Sequence, residues 1–247
     1  MTVGWRPAEW GAPTAVHAGC TLRGGGVSAA PYTSLNLGSH VGDEPAAVAE
    51  NRRRVSEALA LPRAPWWLQQ VHGSAVLDAD REGARGMGPR AADAAITRQA
   101  GTVLAILVAD CLPVLLASAD GAVLGAAHAG WRGLAGGVVA ATVAAMAVDP
   151  GQLHAWLGPA IGRQHFEVGE EVRAQFLAHD ERAADGFVRN PRGRWQCDLT
   201  WLAHRRLAQA GVHRVSGANL CTYADPAQCY SYRRDGSTGR MAALIWR

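Results

Sequence analysis

Apolar residues along this chain gather in short uninterrupted runs, and several runs end on a reactive polar side chain. Thr102–Val108 (TVLAILV) is continuous and reads as a buried strand, with Val114–Ala117 as its neighbour. Ala122–Ala127 follows the turn Ala119-Asp120-Gly121, and Leu153–Leu157 and Met241–Trp246 are strand-like as well. Caps mark the helices. Asp43 opens a segment with Pro45 in its first turn; Val48, Val55 and Leu59 share a face and Pro62 ends it. Val168, Val172 and Phe176, four apart, form one apolar stripe. Asp198 is placed to cap a helix carrying Leu199, Leu202 and Leu207, with Gly211 as its stop. Residues 133–148 are almost all apolar or Gly and predict one buried helix. Strands and helices interleave without a regular βαβ alternation, and there is no G-x-G-x-x-G. The expectation is an α/β (α+β) chain: a mixed β-sheet sandwich with flanking helices, forming a single domain over 1–247.

Composition narrows the chemistry. Hydrophobic residues make up 49% and charged residues 18% of 247 positions, which excludes disordered, collagen-like and coiled-coil classes. All 24 cationic side chains are Arg. Without Lys there is neither a protein Schiff base nor a P-loop. The net charge of +3 is modest, and the densest basic run, Arg52-Arg53-Arg54, falls inside a helix as a solvated face. No nucleic-acid partner is expected. Five Cys occur without a Cys-x-x-Cys pair, against both a disulfide framework and a zinc ribbon. MTVGWRPAEWGAP has no apolar h-region, and the longest apolar run is broken by Asp110 and Pro113. No membrane span is expected, and the expected location is cytoplasmic.

Three segments concentrate reactive groups at strand ends: Gln69-Gln70-Val71-His72-Gly73, Ala109-Asp110-Cys111-Leu112-Pro113 and Ala127-His128-Ala129-Gly130-Trp131-Arg132-Gly133. His72, Cys111 and His128 together offer two imidazoles and a thiolate, a set suited to Zn²⁺ with a fourth position open. The same residues also read as a Cys111 nucleophile with a His128 base. A structural site closed by Cys221 or Cys229 is a third reading. Arg132, ahead of the helix expected from Gly133, is an anion-binding candidate. Arg233, in SYRRDG, is a second.

These segments, in this order, resemble the YfiH-like family, also called laccase-domain or multicopper polyphenol oxidase-like proteins. The matching stretches are PYTSLNLGSHVGD (31–43), QQVHG (69–73), DAAIT (93–97), ADCLPVLLA (109–117), GAAHAGWRGLAGG (125–137), GPAIG (158–162), FEVGEEV (166–172) and SYRRDGSTGRMAALIW (231–246). The resemblance implies a fold similar to the catalytic domain of cytotoxic necrotizing factor. It implies zinc on His72, Cys111 and His128, with Asn36, Gln70, Arg132 and Arg233 as candidate substrate-binding residues. It also implies an enzyme acting on purine nucleosides: phosphorolysis of adenosine, inosine, guanosine and methylthioadenosine with phosphate, and deamination of adenosine. Asp110 is the candidate acid–base group for the proton transfers.

Two other activities stand beside that one. A copper-dependent phenol oxidase is possible on affinity grounds, since Cu²⁺ outcompetes Zn²⁺ at such donors. However, a multicopper centre needs many His ligands, typically in His-x-His pairs, and none of the nine His is so paired. A metal-free cysteine hydrolase acting on a cell-wall precursor is the other. Oligomeric state is not legible.

Overall fold

The computed structural model describes residues 2–82 and 90–247. Two sheets lie face to face between two layers of helix. One has five strands in the order Trp5–Pro7, His17–Thr21, Met241–Trp246, Leu104–Val108, Trp66–Trp67. The other has six, in the order Arg214–Gly217, Leu153–Leu157, Leu112–Ser118, Leu124–Ala129, Ala94–Thr97, Val76–Asp78. A small three-stranded sheet, Glu167–Val168, Trp195–Cys197 and Phe187–Arg189, lies apart. Among the described residues no helix is long and apolar enough to cross a membrane.

The continuous apolar runs follow from this layering, because a strand covered on both faces has no polar side. Leu104, Ile106 and Val108 point between the sheets, where they meet Leu115, Ala117, Leu124 and Ala126. Ala105 and Leu107 point the other way, onto Leu35 and Leu37 of a preceding segment and onto Val55 of the helix Pro45–Ala58. Val114 and Leu116, on the outer face of the six-stranded sheet, meet Leu134, Val138, Phe176 and Leu202 from helices. Leu115 is fully buried, and its truncation to Ala costs about 2–5 kcal/mol by the usual scale.

Four local expectations are corrected. Val114–Ala117 does not neighbour the preceding strand: Leu104–Val108 pairs with Met241–Trp246, whereas Leu112–Ser118 pairs with Leu124–Ala129 and Leu153–Leu157. The chain changes sheets through Ala109-Asp110-Cys111, and Asp110 makes the sharp turn at φ 92°. The helix expected over 133–148 is two, Trp131–Ala135 and Val138–Met146, because Gly137 adopts φ 90°. Val168 lies in a strand, before a helix that begins at Glu170. Glu44, not Asp43, takes the cap position of Pro45–Ala58. Asp198 does cap Leu199–Gln209, accepting from the Trp201 amide.

Candidate metal centre

The three segments singled out above meet at one end of the paired sheets. Cys111 immediately precedes the strand Leu112–Ser118, and His128 lies near the end of Leu124–Ala129, opposite Pro113 in the antiparallel register. His72 comes from the loop after Trp66–Trp67. Cys111 and His128 are thus anchored next to or on strands buried on both faces, which fixes their positions, whereas His72 is held on its loop. Cys111 Sγ stands 3.9 Å from His72 Nε2. The His72 and His128 rings meet edge to face at 4.8 Å between centroids. One donor atom from each of the three residues lies within 4.8 Å of the others.

This donor set fits a divalent metal. A tetrahedral ion with bonds of about 2.0–2.3 Å sets its ligands roughly 3.3–3.7 Å apart, so modest side-chain rotation closes the triangle. His128 is buried and His72 is exposed, which leaves the freedom on the His72 side. Gly130 makes room for the thiol: a Cβ there would stand 2.8 Å from Cys111 Sγ and 3.3 Å from His72 Cδ2.

Asp93 organises the centre. Fully buried at the head of Ala94–Thr97, it accepts from the backbone amides of Val71 (3.1 Å), His72 (2.9 Å) and Gly73 (2.6 Å). It also bonds His128 Nδ1 at 2.9 Å, which directs Nε2 of that ring toward the cluster. His72 itself has φ 62°, a left-handed conformation uncommon outside glycine, and Asp93 holds the loop in it. Burial raises the Asp93 carboxyl, but the bonds from His128, Gly73 and Val71 outweigh it and leave the group below the usual carboxylate range. For the Cys111 thiol, burial again acts upward, and His128 followed by His72 brings it down to about 6. The thiolate, the form a metal or an electrophile needs, is therefore readily available.

The cluster opens into a cleft of about 540 Å³. Arg132, Arg233 and Gln70 line it, as does Asp110. Arg132 is exposed and stacks on Trp131 at 4.3 Å, within the five-residue helix rather than ahead of it. Arg233 donates to the Glu167 carbonyl at 2.8 Å. The Gln70 amide pairs with both backbone groups of Leu107, capping the edge of that strand. Asp110 accepts from Thr222 Oγ1 (2.6 Å) and from the Arg233 amide (2.7 Å), so both its oxygens are engaged. Asn36 is not brought to the cleft. It is fully buried, and its amide bonds Gly38, Asp43 and the Arg240 backbone, leaving nothing for a ligand. Cys221 accepts from the Gly162 amide and stands apart from the cluster, as does Cys229, buried between the sheets.

The sequence reading gave no role to Asp93, Arg240, His40 or Tyr232, the last three of which also line the cleft. A signal existed for two of them. Asp93 and Arg240 each stand directly before an uninterrupted apolar strand (AAIT and MAALIW), the same arrangement that drew attention to Cys111.

Comparison with known proteins agrees with this architecture. The family described as multi-copper polyphenol oxidoreductase laccase matches residues 17–247. A purine nucleoside phosphorylase of Xylella fastidiosa is 50% identical, with 97% of this chain and 95% of that protein covered. Purine nucleoside phosphorylase YfiH of Escherichia coli is 47% identical, with 96% of each covered. A Neisseria meningitidis protein of known structure superposes with a TM-score of 0.94 at 44% identity over 98% of both chains. The Bacillus licheniformis hypothetical protein YfiH gives 0.87 at 30%, over 94% of this chain and 92% of that one. With its buried sheet pair, its His-Cys-His cluster and these relatives, the chain belongs to the laccase-like YfiH family.

Proposed function

We propose that this chain, as one catalytic unit over 1–247, is a zinc-dependent purine nucleoside phosphorylase, with His72, Cys111 and His128 as the zinc ligands. One juxtaposition carries the reading: two imidazoles and a thiolate converge within 4.8 Å on a cleft that three guanidinium groups, Arg132, Arg233 and Arg240, also line. The names of the relatives at 47–50% identity support nucleoside and phosphate as substrates. When bound, the ion supplies Lewis-acid charge to a substrate oxygen.

In phosphorolysis a phosphate oxygen bonds to the anomeric carbon of the ribose. The bond from that carbon to the purine breaks, its electron pair leaves with the purine, and the purine takes up one proton. The cationic side chains hold the phosphate charge, while Phe166, Ile161 and Trp131 give apolar walls for a flat base. Asp110 is the acid–base candidate, and it takes that role by releasing Thr222 or the Arg233 amide. Deamination of adenosine in the same cleft is the finer extension of this reading. Five free cysteines suit the reducing cytoplasm.

Metal analysis coupled to adenosine turnover tests the proposal. Zinc should co-purify, and adenine should appear only with phosphate; inosine formed without phosphate marks deamination. His72→Ala, Cys111→Ala and His128→Ala should each lose metal and activity together. Full activity in all three removes the mechanism. Copper as the native metal, with phenol oxidation, would favour the oxidase reading; among the described residues only one three-donor cluster occurs, too few ligands for several coppers.

A second reading has its own observation. Cys111, His128 and Asp93 are connected as nucleophile, base and orienting carboxylate, with the thiol already depressed to about 6. A cysteine hydrolase would keep its activity in chelator, where the zinc enzyme loses it and regains it with added Zn²⁺.

A further inference from the structure

Arg240 is the least solvent-exposed of the three guanidinium groups in the cleft: it is half-buried, whereas Arg132 and Arg233 are exposed. Its placement is fixed from several sides. Its amide donates to Asn36 Oδ1 at 2.8 Å, and its carbonyl accepts from the Leu37 amide at 3.0 Å. Asn36 is itself locked by Gly38 and Asp43, so the Arg240 backbone is tied to a rigid buried segment. At the far end of the side chain, Nη1 donates to the carbonyls of Thr238 (2.9 Å) and Gly239 (3.0 Å), and this sets the guanidinium plane.

What remains is unusual for a half-buried cation. Nε and Nη2 carry three further N–H donors that have no hydrogen-bond partner among the described residues. No carboxylate among them forms an ion pair with Arg240. The carboxylate on the same cleft wall, Asp110, has both oxygens engaged by Thr222 and Arg233. Burial holds the Arg240 guanidinium below its usual range, and the nearby Cys111, Asp110, Tyr232 and Tyr32 offset this only in part. His40 lines the same wall, and burial, then Arg240, then Arg52 lower its pKa. A neutral imidazole beside the guanidinium adds a donor without adding repulsion.

We propose that Arg240, seconded by His40, is the oxyanion-binding subsite of the cleft, the position where inorganic phosphate docks beside the His72–Cys111–His128 cluster. The identity of the anion rests on the phosphorylase reading; the existence of an anion site at Arg240 does not. The Nε–Nη2 edge of the planar fork is free and matches two oxygens of a phosphate, and pre-organisation of Nη1 by Thr238 and Gly239 lowers the ordering cost of binding. The other two cations are less suited. Arg132 is exposed and stacks on Trp131, and Arg233 donates to the Glu167 carbonyl over the Phe166 ring, with 5.1 Å to its centroid; Arg240 lies over Tyr232 at 5.9 Å, but two backbone carbonyls fix its guanidinium as well.

Titration calorimetry with inorganic phosphate, on the full-length protein as purified, reads the site directly. Arg240→Ala should weaken phosphate binding by about 10- to 100-fold, the range for losing charge-assisted bonds. Arg240→Lys should lie between that variant and wild type, because it keeps the charge and loses the fork. Arg132→Ala should weaken phosphate binding less than Arg240→Ala does. In steady-state assays the Arg240 variants should raise the KM for phosphate and leave the KM for nucleoside within about twofold. Circular dichroism establishes that each variant is folded; should Arg240→Ala not fold, Arg240→Lys decides. Wild-type affinity in a folded Arg240 variant overturns the proposal. So does a loss confined to Arg132→Ala, a KM shift on the nucleoside instead, or a wild-type protein that binds no phosphate. Phosphate binding that depends on Arg240, in a protein that converts no nucleoside, supports the subsite and removes the phosphorylase reading.

Discussion

Replacing Asp93 by Asn tests whether the centre is held by a carboxylate rather than by the three ligands alone. Asp93 Oδ1 serves the His72 amide and His128 Nδ1, and Oδ2 serves the amides of Val71 and Gly73. All four are donors. An Asn side chain has one oxygen, so whichever way it turns, its NH₂ faces two of them. Two charge-assisted bonds are lost, worth about 1.5–3 kcal/mol each, or roughly 3–6 kcal/mol together before relaxation. If His128 accepts from Asn through Nδ1 instead, its proton moves to Nε2, and that nitrogen can no longer ligate. If the oxygen stays on the His128 side, the Val71 and Gly73 amides are orphaned, and His72 relaxes from its left-handed conformation. Both routes loosen the metal, by about 10- to 100-fold on the scale of outer carboxylates at metal sites. Thermal melting of the metal-free variant should fall by on the order of 10 °C, taking about 2–4 °C per kcal/mol for a chain of this size. Competition against a chromophoric chelator gives the metal affinity. A variant that binds Zn²⁺ within about twofold of wild type and melts within about 1 °C of it refutes the reasoning.

Gly130→Ala should weaken zinc by about 10-fold or more with a small change in melting, because its Cβ would stand 2.8 Å from Cys111 Sγ; unchanged affinity in the same chelator competition argues against that crowding. Asp180 caps the turn Glu181–Gly186 and takes two bonds from the Arg205 guanidinium, which, as the largest influence, holds its pKa down. A depressed carboxylate stabilises the fold fully above its unfolded value of about 3.9 and loses that contribution as pH falls through the lower folded value. Asp180→Asn should therefore melt about 2–4 °C below wild type at neutral pH, with the gap closing in acid; a gap that persists at low pH contradicts the assignment.

The legible part of the site was the part written in residue type. Two His and one Cys at strand ends announce soft-ligand or nucleophile chemistry in any fold, and the QQVHG, ADCLP and HAGWRG stretches carry the family resemblance. Asn36 shows where residue type misleads. Its motif suggested substrate contact, yet it is fully buried and positions Arg240 through the backbone. Arg132 shows the cost of misplacing a helix start by two residues, since it lies inside the five-residue helix rather than ahead of it, while its side chain still lines the cleft.

By itself the sequence determined that this chain folds as buried strands with covering helices, because uninterrupted apolar runs are stable only where both faces are shielded from water. It also determined which donors were available. Only the tertiary structure decided which strands pair, since hydrogen-bond partners are chosen across the chain: Leu104–Val108 joins Met241–Trp246, while the next strand, eight residues on from the start of the first, joins the other sheet. That separation, turned at Asp110, is what sets Cys111 beside His72 and His128; only the closed layers also put the Asp93 carboxylate behind His128 and the free edge of Arg240 on the same cleft. Their roles depend on distances between segments far apart in the chain, and such distances exist only once the layers have closed.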